Sequence, residues 1–313
     1  MQRAAHRNGR PATPAGGPPR RAALGTGAGL LAAGLLASAT PPAAARPRTA
    51  RTPYAALRRL EHAHRARVGA FAHNTVTGAT AAYRAHARVP LCSVFKTLAV
   101  AAVLRDLDRD GETLARRIRY TAADLVDNSP VTERHVATGL TIADLCAAAL
   151  RRSDNTAANL LLRELGGPAA VTAFARSLGD RTTRLDRWEP DLNSAEPWRT
   201  TDTTSPAAIG TAYARLLVGD ALAPSDRGRL TAWMKGNETS AHRFRAALDE
   251  DWTVADKTGT GSYGTGNDVG VAWTPDGTPI VLAVLTSKPE QAADADDALI
   301  ASVTRVLVRA VAD

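Results

Sequence analysis

Ser93-Val94-Phe95-Lys96 places a hydroxyl and an amine three residues apart at the start of an apolar, helix-forming stretch. Positions i and i+3 share a helix face, so the Lys96 amine can sit beside the Ser93 hydroxyl. A serine is a poor nucleophile until a base takes its proton, and a partly desolvated lysine can be that base. The Ser93 amide also falls at a helix N-terminus, where unpaired N–H groups stabilise developing negative charge. The same spacing equally describes a capping serine and a solvated lysine. Ser153-Asp154-Asn155 offers a second hydroxyl and an amide, or simply a helix N-cap. Lys257-Thr258-Gly259 falls in a predicted strand, where Lys and Thr can hold a carboxylate and Gly lets a ligand approach the backbone. Its bland alternative is a strand edge. Glu189-Pro190 and Asn193 lie in a loop, where a carboxylate can hold a water or merely be solvated.

These groups need a scaffold. Leu57, Leu60 and His64 recur at helical spacing and predict a helix from Tyr54 to about Arg67. Two short strands, Val68–Asn74 and Ala79–Ala85, follow around a turn at Thr77-Gly78. Val94–Leu107 reads as a helix, and Ile142–Leu165 as two helical stretches broken at Ser153-Asp154-Asn155. Residues 180–206 are charged, contain proline and show no periodicity, which predicts a long loop of the kind that usually carries function. Helices at Pro206–Leu217 and Ser225–Lys235 precede three strands, Thr253–Tyr263, Asn267–Trp273 and Pro279–Ser287, and a last helix covers about Gln291–Val311. Strands come from both ends of the chain and helices fill the middle. The expected fold is therefore α/β (α+β), two-lobed, an antiparallel sheet built from both termini with an inserted helical lobe. Residues 46–90 and 237–313 would form the α/β lobe and 91–236 the helical lobe, with the site in the cleft between them.

The N-terminus differs from the rest. Residues 1–21 are rich in Pro, Gly and Arg and end in Arg20-Arg21; an Ala/Leu/Gly stretch runs to about Ala39, and small residues follow at Ala43-Ala44-Ala45. That order describes an export signal over residues 1–45 cleaved near Ala45, hence a secreted protein, with a disordered Arg-rich tail as the alternative. Arg20-Arg21 points to the twin-arginine route. No Cys follows the apolar stretch, so no lipid anchor is expected, and nothing later reaches the roughly 18 to 20 apolar residues of a membrane span. The net charge of +8 owes much to the signal: without its five Arg, 34 basic residues face 31 acidic ones. A nucleic-acid partner is not indicated.

Other motifs fail on context. Gly259, Gly261 and Gly264 spell a dinucleotide fingerprint, but a strand rather than a helix follows. There is no G-x-S-x-G elbow. His62 and His64 are two apart on a predicted helix, point different ways and join no acidic cluster, so neither a metal nor a cofactor is expected. Cys92 and Cys146 permit one disulfide, or two small buried apolar residues.

The four chemical motifs occur in a telling order: Cys92-Ser93-Val94-Phe95-Lys96, Ser153-Asp154-Asn155, Arg187-Trp188-Glu189-Pro190-Asp191-Leu192-Asn193 and Lys257-Thr258-Gly259-Thr260-Gly261. With Asn128-Ser129-Pro130-Val131-Thr132-Glu133 and Lys235-Gly236-Asn237, they make the chain resemble the class A serine β-lactamases over about residues 52–313. The resemblance implies hydrolysis of the β-lactam amide of penicillins and cephalosporins by a monomeric enzyme that confers antibiotic resistance. Ser93 would attack the carbonyl, with the oxyanion on the N–H groups of Ser93 and Thr260. Ser153 would relay a proton to the leaving nitrogen, and Lys96 and Asn155 would arrange nucleophile and substrate. Lys257, Thr258, Gly259 and Thr260 would line the carboxylate site, while Glu189 and Asn193 position the hydrolytic water. Whether Lys96 or Glu189 takes the Ser93 proton in acylation stays open. Arg187 and Asp202 would close the long loop, with a cis Glu189–Pro190 bond.

Three positions depart from the family. Asn128 stands where many relatives place an aromatic lining the cleft, Val100 where many have the Cys that pairs with the equivalent of Cys146, and Gly266 where many carry a carboxylate-binding Arg. Cys92 and Cys146 are thus expected to be free thiols. Arg243 aligns with an Arg that substitutes for the missing one in some relatives, and Arg245 with one that pairs with the position of Asp256. No Cys stands at Gly261 to pair with Cys92, as happens in some carbapenem-hydrolysing relatives, so penicillins are the expected better substrates. The rivals are a D,D-peptidase (penicillin-binding protein), which would lack the deacylating Glu and stay acylated, and a penicillin sensor, which would carry a tether or signalling domain.

Overall fold

The computed structural model describes residues 53–109 and 111–312 of the chain. The expected export signal lies outside the described residues. Helix α1 (Tyr54–Ala63) leads into strands β1 (Arg67–Asn74), β2 (Thr80–Tyr83) and β3 (Val89–Pro90), then helix α2 (Phe95–Ala102). Short strands β4 (Arg117–Ile118) and β5 (Leu140–Thr141) precede helices α3 (Ile142–Arg151), α4 (Asn155–Leu165) and α5 (Pro168–Ser177). Strand β6 (Thr203–Thr204) and helices α6 (Pro206–Leu217) and α7 (Pro224–Lys235) lead to β7 (Thr253–Gly261), β8 (Thr265–Trp273), β9 (Pro279–Ser287) and α8 (Asp297–Val311).

The main sheet is antiparallel, in the order β2-β1-β9-β8-β7, so both termini build it as the sequence implied. Its central strand explains the architecture. Along β9, Ile280, Leu282 and Val284 pack with Leu57 of α1 and with Leu299, Val303 and Leu307 of α8. Val281, Ala283 and Leu285 face the opposite way, into a core shared with α2, α3, α4 and α6. A strand covered on both faces reads as a continuous apolar run rather than an alternating one. That is the composition of residues 279–287.

Several boundaries move for identifiable reasons. The first helix ends at Ala63 rather than near Arg67, because Arg65 takes a left-handed φ of 47° and the chain turns into β1. The helix expected to run to Leu107 is α-helical to Ala102 and widens into a π turn at Val103–Leu107. The last helix begins at Asp297, because the Asp296 carboxylate caps it by accepting from the Leu299 amide at 2.9 Å. Helix α5 was not anticipated; Gly166 at φ 92° closes α4, and Pro168 opens α5 at once. The long loop carries a 3-10 turn at Asp191–Ser194, and β6 at its end pairs with β3 just before the Ser93 turn.

Candidate active site

Ser93 lies in a 3-10 turn, Cys92–Val94, that leads directly into α2. The turn is held from several sides. Asn267 of β8 donates through Nδ2 to the Pro90 and Leu91 carbonyls at 2.9 and 3.1 Å, and Tyr213 of α6 donates its hydroxyl to the Val94 carbonyl at 2.7 Å. Strand β7 runs against it so closely that a Cβ on Gly259 would sit 3.1 to 3.2 Å from Leu91 O, Cys92 Cβ and Ser93 N. Cys92 itself holds a φ of 44°. Left-handed backbone at a non-glycine residue is strained and persists only where the surroundings over-determine it.

Lys96, one helical turn on, is fully buried. Its Nζ reaches Glu189 Oε1 at 3.0 Å, Asn155 Oδ1 at 2.6 Å and the Ser153 carbonyl at 2.8 Å. Ser93 Oγ donates to the same Glu189 Oε1 at 3.1 Å. Burial pushes the Lys96 ammonium below the ordinary lysine range, while the Glu189 carboxylate opposes that shift. Lys257, also fully buried, approaches from β7 and donates to Ser153 Oγ at 3.1 Å. Burial and then repulsion from Lys96 push Lys257 well below the usual range, against the pull of Asp256 and Asp268. Ser153 Oγ thus stands between two desolvated amines, since Lys96 Nζ is 3.4 Å away.

Both meanings of Ser153-Asp154-Asn155 are realised, by different residues. Asp154 caps α4 by accepting from the Ala157 amide at 2.8 Å, and its other oxygen accepts from the Val131 and Thr132 amides at 2.9 Å each. That anchoring holds Ser153 at φ 55°, with its hydroxyl toward the lysines. The loop carboxylate is equally fixed. The Glu189–Pro190 bond is cis, the Glu189 backbone exchanges two hydrogen bonds with the Asn159 amide, and Glu189 Oε2 accepts from Asn193 Nδ2. Arg187 Nε meets Asp202 Oδ2 at 2.6 Å and closes the loop at its base.

Ser93, Asn155, Ser153, Asn193, Thr258, Gly259, Thr260 and Arg243 line one cleft of about 340 Å³, with Asn128, Arg152 and Thr239. Lys96, Glu189 and Lys257 stand buried against it. Every residue expected at the site is therefore brought to it. Arg243 is no free surface cation: it is 5% exposed, with Nε on Asp297 Oδ1 at 2.7 Å, Nη1 on the Gly259 and Asn267 carbonyls at 3.0 and 2.7 Å, and Nη2 on Thr260 Oγ1 at 2.8 Å. Arg245 pairs with Asp256 at 3.1 Å. Among the described residues no group of His, Cys, Asp and Glu could hold a metal. A buried serine whose hydroxyl meets a loop carboxylate, beside a second serine hydroxyl flanked by two desolvated lysines, is the apparatus of acyl transfer with hydrolysis.

The model of the β-lactamase enzyme family matches residues 52–311. The chain is 60% identical to a β-lactamase of Streptomyces fradiae over 301 residues, which is 95% of this chain and 98% of that one. The chain belongs to the class A serine β-lactamases. The solved β-lactamase of Streptomyces albus G superposes with a TM-score of 0.81 at 58% identity, covering 83% of this chain and 99% of that one. The carbapenem-hydrolysing β-lactamase KPC of Klebsiella oxytoca is 49% identical over 249 residues, 79% of this chain and 85% of its own. As a member of this class the enzyme is a β-lactam hydrolase that works through a serine acyl-enzyme, and its secretion fits the class.

Four supporting residues of this β-lactamase escaped the reading of its sequence: Asn159, Tyr213, Asn267 and Asp297. Each is a single polar residue within a helix or strand, and only the pairing of distant segments gives it a partner. The free-thiol expectation holds: Cys92 and Cys146 are both buried and unpaired, and burial pushes both thiols well above their ordinary range. No helix among the described residues is long and apolar enough to cross a membrane.

Proposed function

We propose that Ser93 forms the acyl-enzyme and that Glu189, with Asn193, delivers the water that hydrolyses it. The observation that carries this assignment is the shared Glu189 Oε1, 3.1 Å from Ser93 Oγ and 3.0 Å from Lys96 Nζ. One carboxylate oxygen beside both nucleophile and amine is within reach of a water poised over the Ser93 ester. The N–H groups of Ser93 and Thr260 hold the oxyanion, and the close passage of β7 at Gly259 supports that reading. Ser153, wired to both lysines, returns a proton to the leaving nitrogen. Asn155 orients the acyl side chain. Lys257, Thr258, Thr260 and Arg243 receive the substrate carboxylate. The cleft lies between an α/β lobe of residues 46–90 and 237–313 and a helical lobe of 91–236. The first 45 residues act as a twin-arginine signal cleaved near Ala45.

Glu189→Ala tests the assignment. Mixed with benzylpenicillin, it should accumulate a covalent adduct on Ser93 visible by mass spectrometry, with steady-state turnover reduced by a factor of about 10³ or more. Normal turnover would remove Glu189 from the mechanism, and an adduct on another residue would remove Ser93. In the same assay wild-type enzyme should show a higher kcat/KM for benzylpenicillin than for imipenem.

A further inference from the structure

Positive charge is distributed unevenly along this chain. Residues 46–67 hold seven Arg and one acidic residue, Glu61, whereas residues 68–313 hold 27 basic and 30 acidic residues. Five of those Arg precede or lie in α1 and two flank its end, so a basic segment is attached to a slightly acidic body. Glu61 does not neutralise it. Its carboxylate already accepts from the Val68 amide at 2.8 Å, from the Tyr83 hydroxyl and from Arg84 at 3.1 Å.

The exposed side chains of Arg58, Arg65 and Arg67 face an open groove of about 800 Å³, joined there by Lys288 and floored by Pro197 and Pro289. None of the three Arg side chains makes an ion pair or hydrogen bond among the described residues. The frame that presents them is fixed. Leu57 is fully buried against α8, and His64 at the end of α1 meets Asp296, the α8 cap, at 2.9 Å. Arg58 projects from α1, Arg65 from the turn that follows it and Arg67 from the start of β1, so three successive elements bring guanidinium groups to the one groove. The buried polar residue in its wall is Ser287, joined by the partly buried and already engaged Glu61; neither is a cation, so the groove is not built around a single small anion. A row of unpaired guanidinium groups along an open channel suits a chain of repeated anions instead, and the fork of a guanidinium matches two phosphate oxygens at once.

We infer that the α1 groove, through Arg58, Arg65 and Arg67, binds a linear phosphate-bearing polymer. None of these residues lines the catalytic cleft, so binding leaves hydrolysis untouched and holds the secreted enzyme on a phosphate-rich matrix. The attraction is between exposed charges and is therefore screened by salt.

Long-chain inorganic polyphosphate is the probe, and the protein is that recovered from the culture medium. Polyphosphate should bind in 20 mM NaCl and weaken by about 100-fold in 200 mM, the slope of about 0.7 per contact for three contacts on a single strand. Arg58→Ser/Arg65→Ser/Arg67→Ser should bind at least about tenfold more weakly at 20 mM, with unchanged kcat/KM for nitrocefin. A control with the same loss of charge, Arg109→Ser/Arg134→Ser/Arg181→Ser, should bind as wild type. The inference is overturned if wild-type enzyme ignores polyphosphate at 20 mM NaCl, or if the control loses as much affinity as the groove variant. It is overturned as well if orthophosphate at equal phosphate concentration displaces the polymer, or if poly-L-glutamate binds as tightly.

Discussion

Arg243 offers the sharpest quantitative test of the site, because its guanidinium is shared between the protein and the expected substrate carboxylate. A guanidinium has five N–H donors. Four are engaged by Asp297, the Gly259 and Asn267 carbonyls and Thr260 Oγ1, which leaves one on Nη2 next to the cleft. A charge-assisted hydrogen bond is worth about 1.5 to 3 kcal/mol. Arg243→Ala should therefore lower kcat/KM for benzylpenicillin by roughly 10- to 150-fold. It should also destabilise, because two buried carbonyls lose their donor at about 1 kcal/mol or more each. That is a fall of roughly 4 to 8 °C in Tm for a domain of this size. Asp297→Asn separates the two effects. It keeps a hydrogen-bond acceptor for Nε but removes a negative charge that competes with the substrate. Two carboxylates about 8 Å apart at an effective dielectric constant of about 40 repel by about 1 kcal/mol, so KM should fall about 5-fold with kcat and Tm nearly unchanged. Steady-state kinetics at low and high salt, with melting curves, read all of this. A folded Arg243→Ala enzyme with wild-type kcat/KM would show that Lys257, Thr258 and Thr260 hold the carboxylate without it. A higher KM in Asp297→Asn would show that Asp297 orients Arg243 rather than neutralising it.

Glu189→Gln bears on the open question of the acylation base. Glu189 holds the Lys96 pKa up against burial, so removing its charge lets that pKa fall further, and the neutral amine is then present at lower pH. Stopped-flow acylation should persist, with its acidic limb shifted to lower pH than in wild type; loss of acylation at every pH would assign the proton to Glu189. Gly259→Ala should lower kcat at least tenfold with a loss of about 1 to 3 kcal/mol, because the new methyl meets the Ser93 turn at 3.1 to 3.2 Å, mostly against backbone. Wild-type kcat in that variant would show that β7 does not set the Ser93 position. Thiol titration should find no reactive thiol in the native enzyme and two after unfolding without reductant, since both Cys are buried and unpaired. Titration of none in the unfolded chain would reveal a disulfide.

The reacting groups were legible because they are polar residues at fixed spacing inside apolar stretches. Ser93 and Lys96 share a helix face, and Lys257 begins a motif at the centre of a long strand. Loop closure by Arg187 and Asp202 was legible only through family resemblance, since they stand 15 positions apart in a loop without periodicity. What supports the site was hidden for a physical reason. Asn267 reaches the Ser93 turn because it stands opposite Gly259 in the β7–β8 register, which no local pattern encodes. Asp297 meets Arg243 only because α8 starts at Asp297, six residues later than periodicity implied. The same shift explains why Gly266 is tolerated: a Cβ there would meet Ala295 and Ile300 at 3.2 Å, so the α8 entry already fills that side of β8.

The two buried lysines bear on how substrate binding and proton transfer are linked. Lys96 and Lys257 flank one hydroxyl, Ser153 Oγ, and each lowers the other's affinity for a proton by like-charge repulsion in a dry site. A β-lactam carboxylate arriving beside Lys257 stabilises its ammonium form. A more firmly charged Lys257 disfavours charge on Lys96, whose amine is then better suited to take the Ser93 proton, directly or by way of Ser153. With Lys96 as the acylation base, a carboxylate-bearing substrate should therefore raise kcat for acylation as well as lower KM, which comparison with a substrate analogue lacking the carboxylate would check. Because both amines meet the one Ser153 hydroxyl, a change of charge on either is felt by the other at short range. Glu189 pulls the Lys96 pKa up, and Asp256 and Asp268 pull up that of Lys257, each against the burial of its amine.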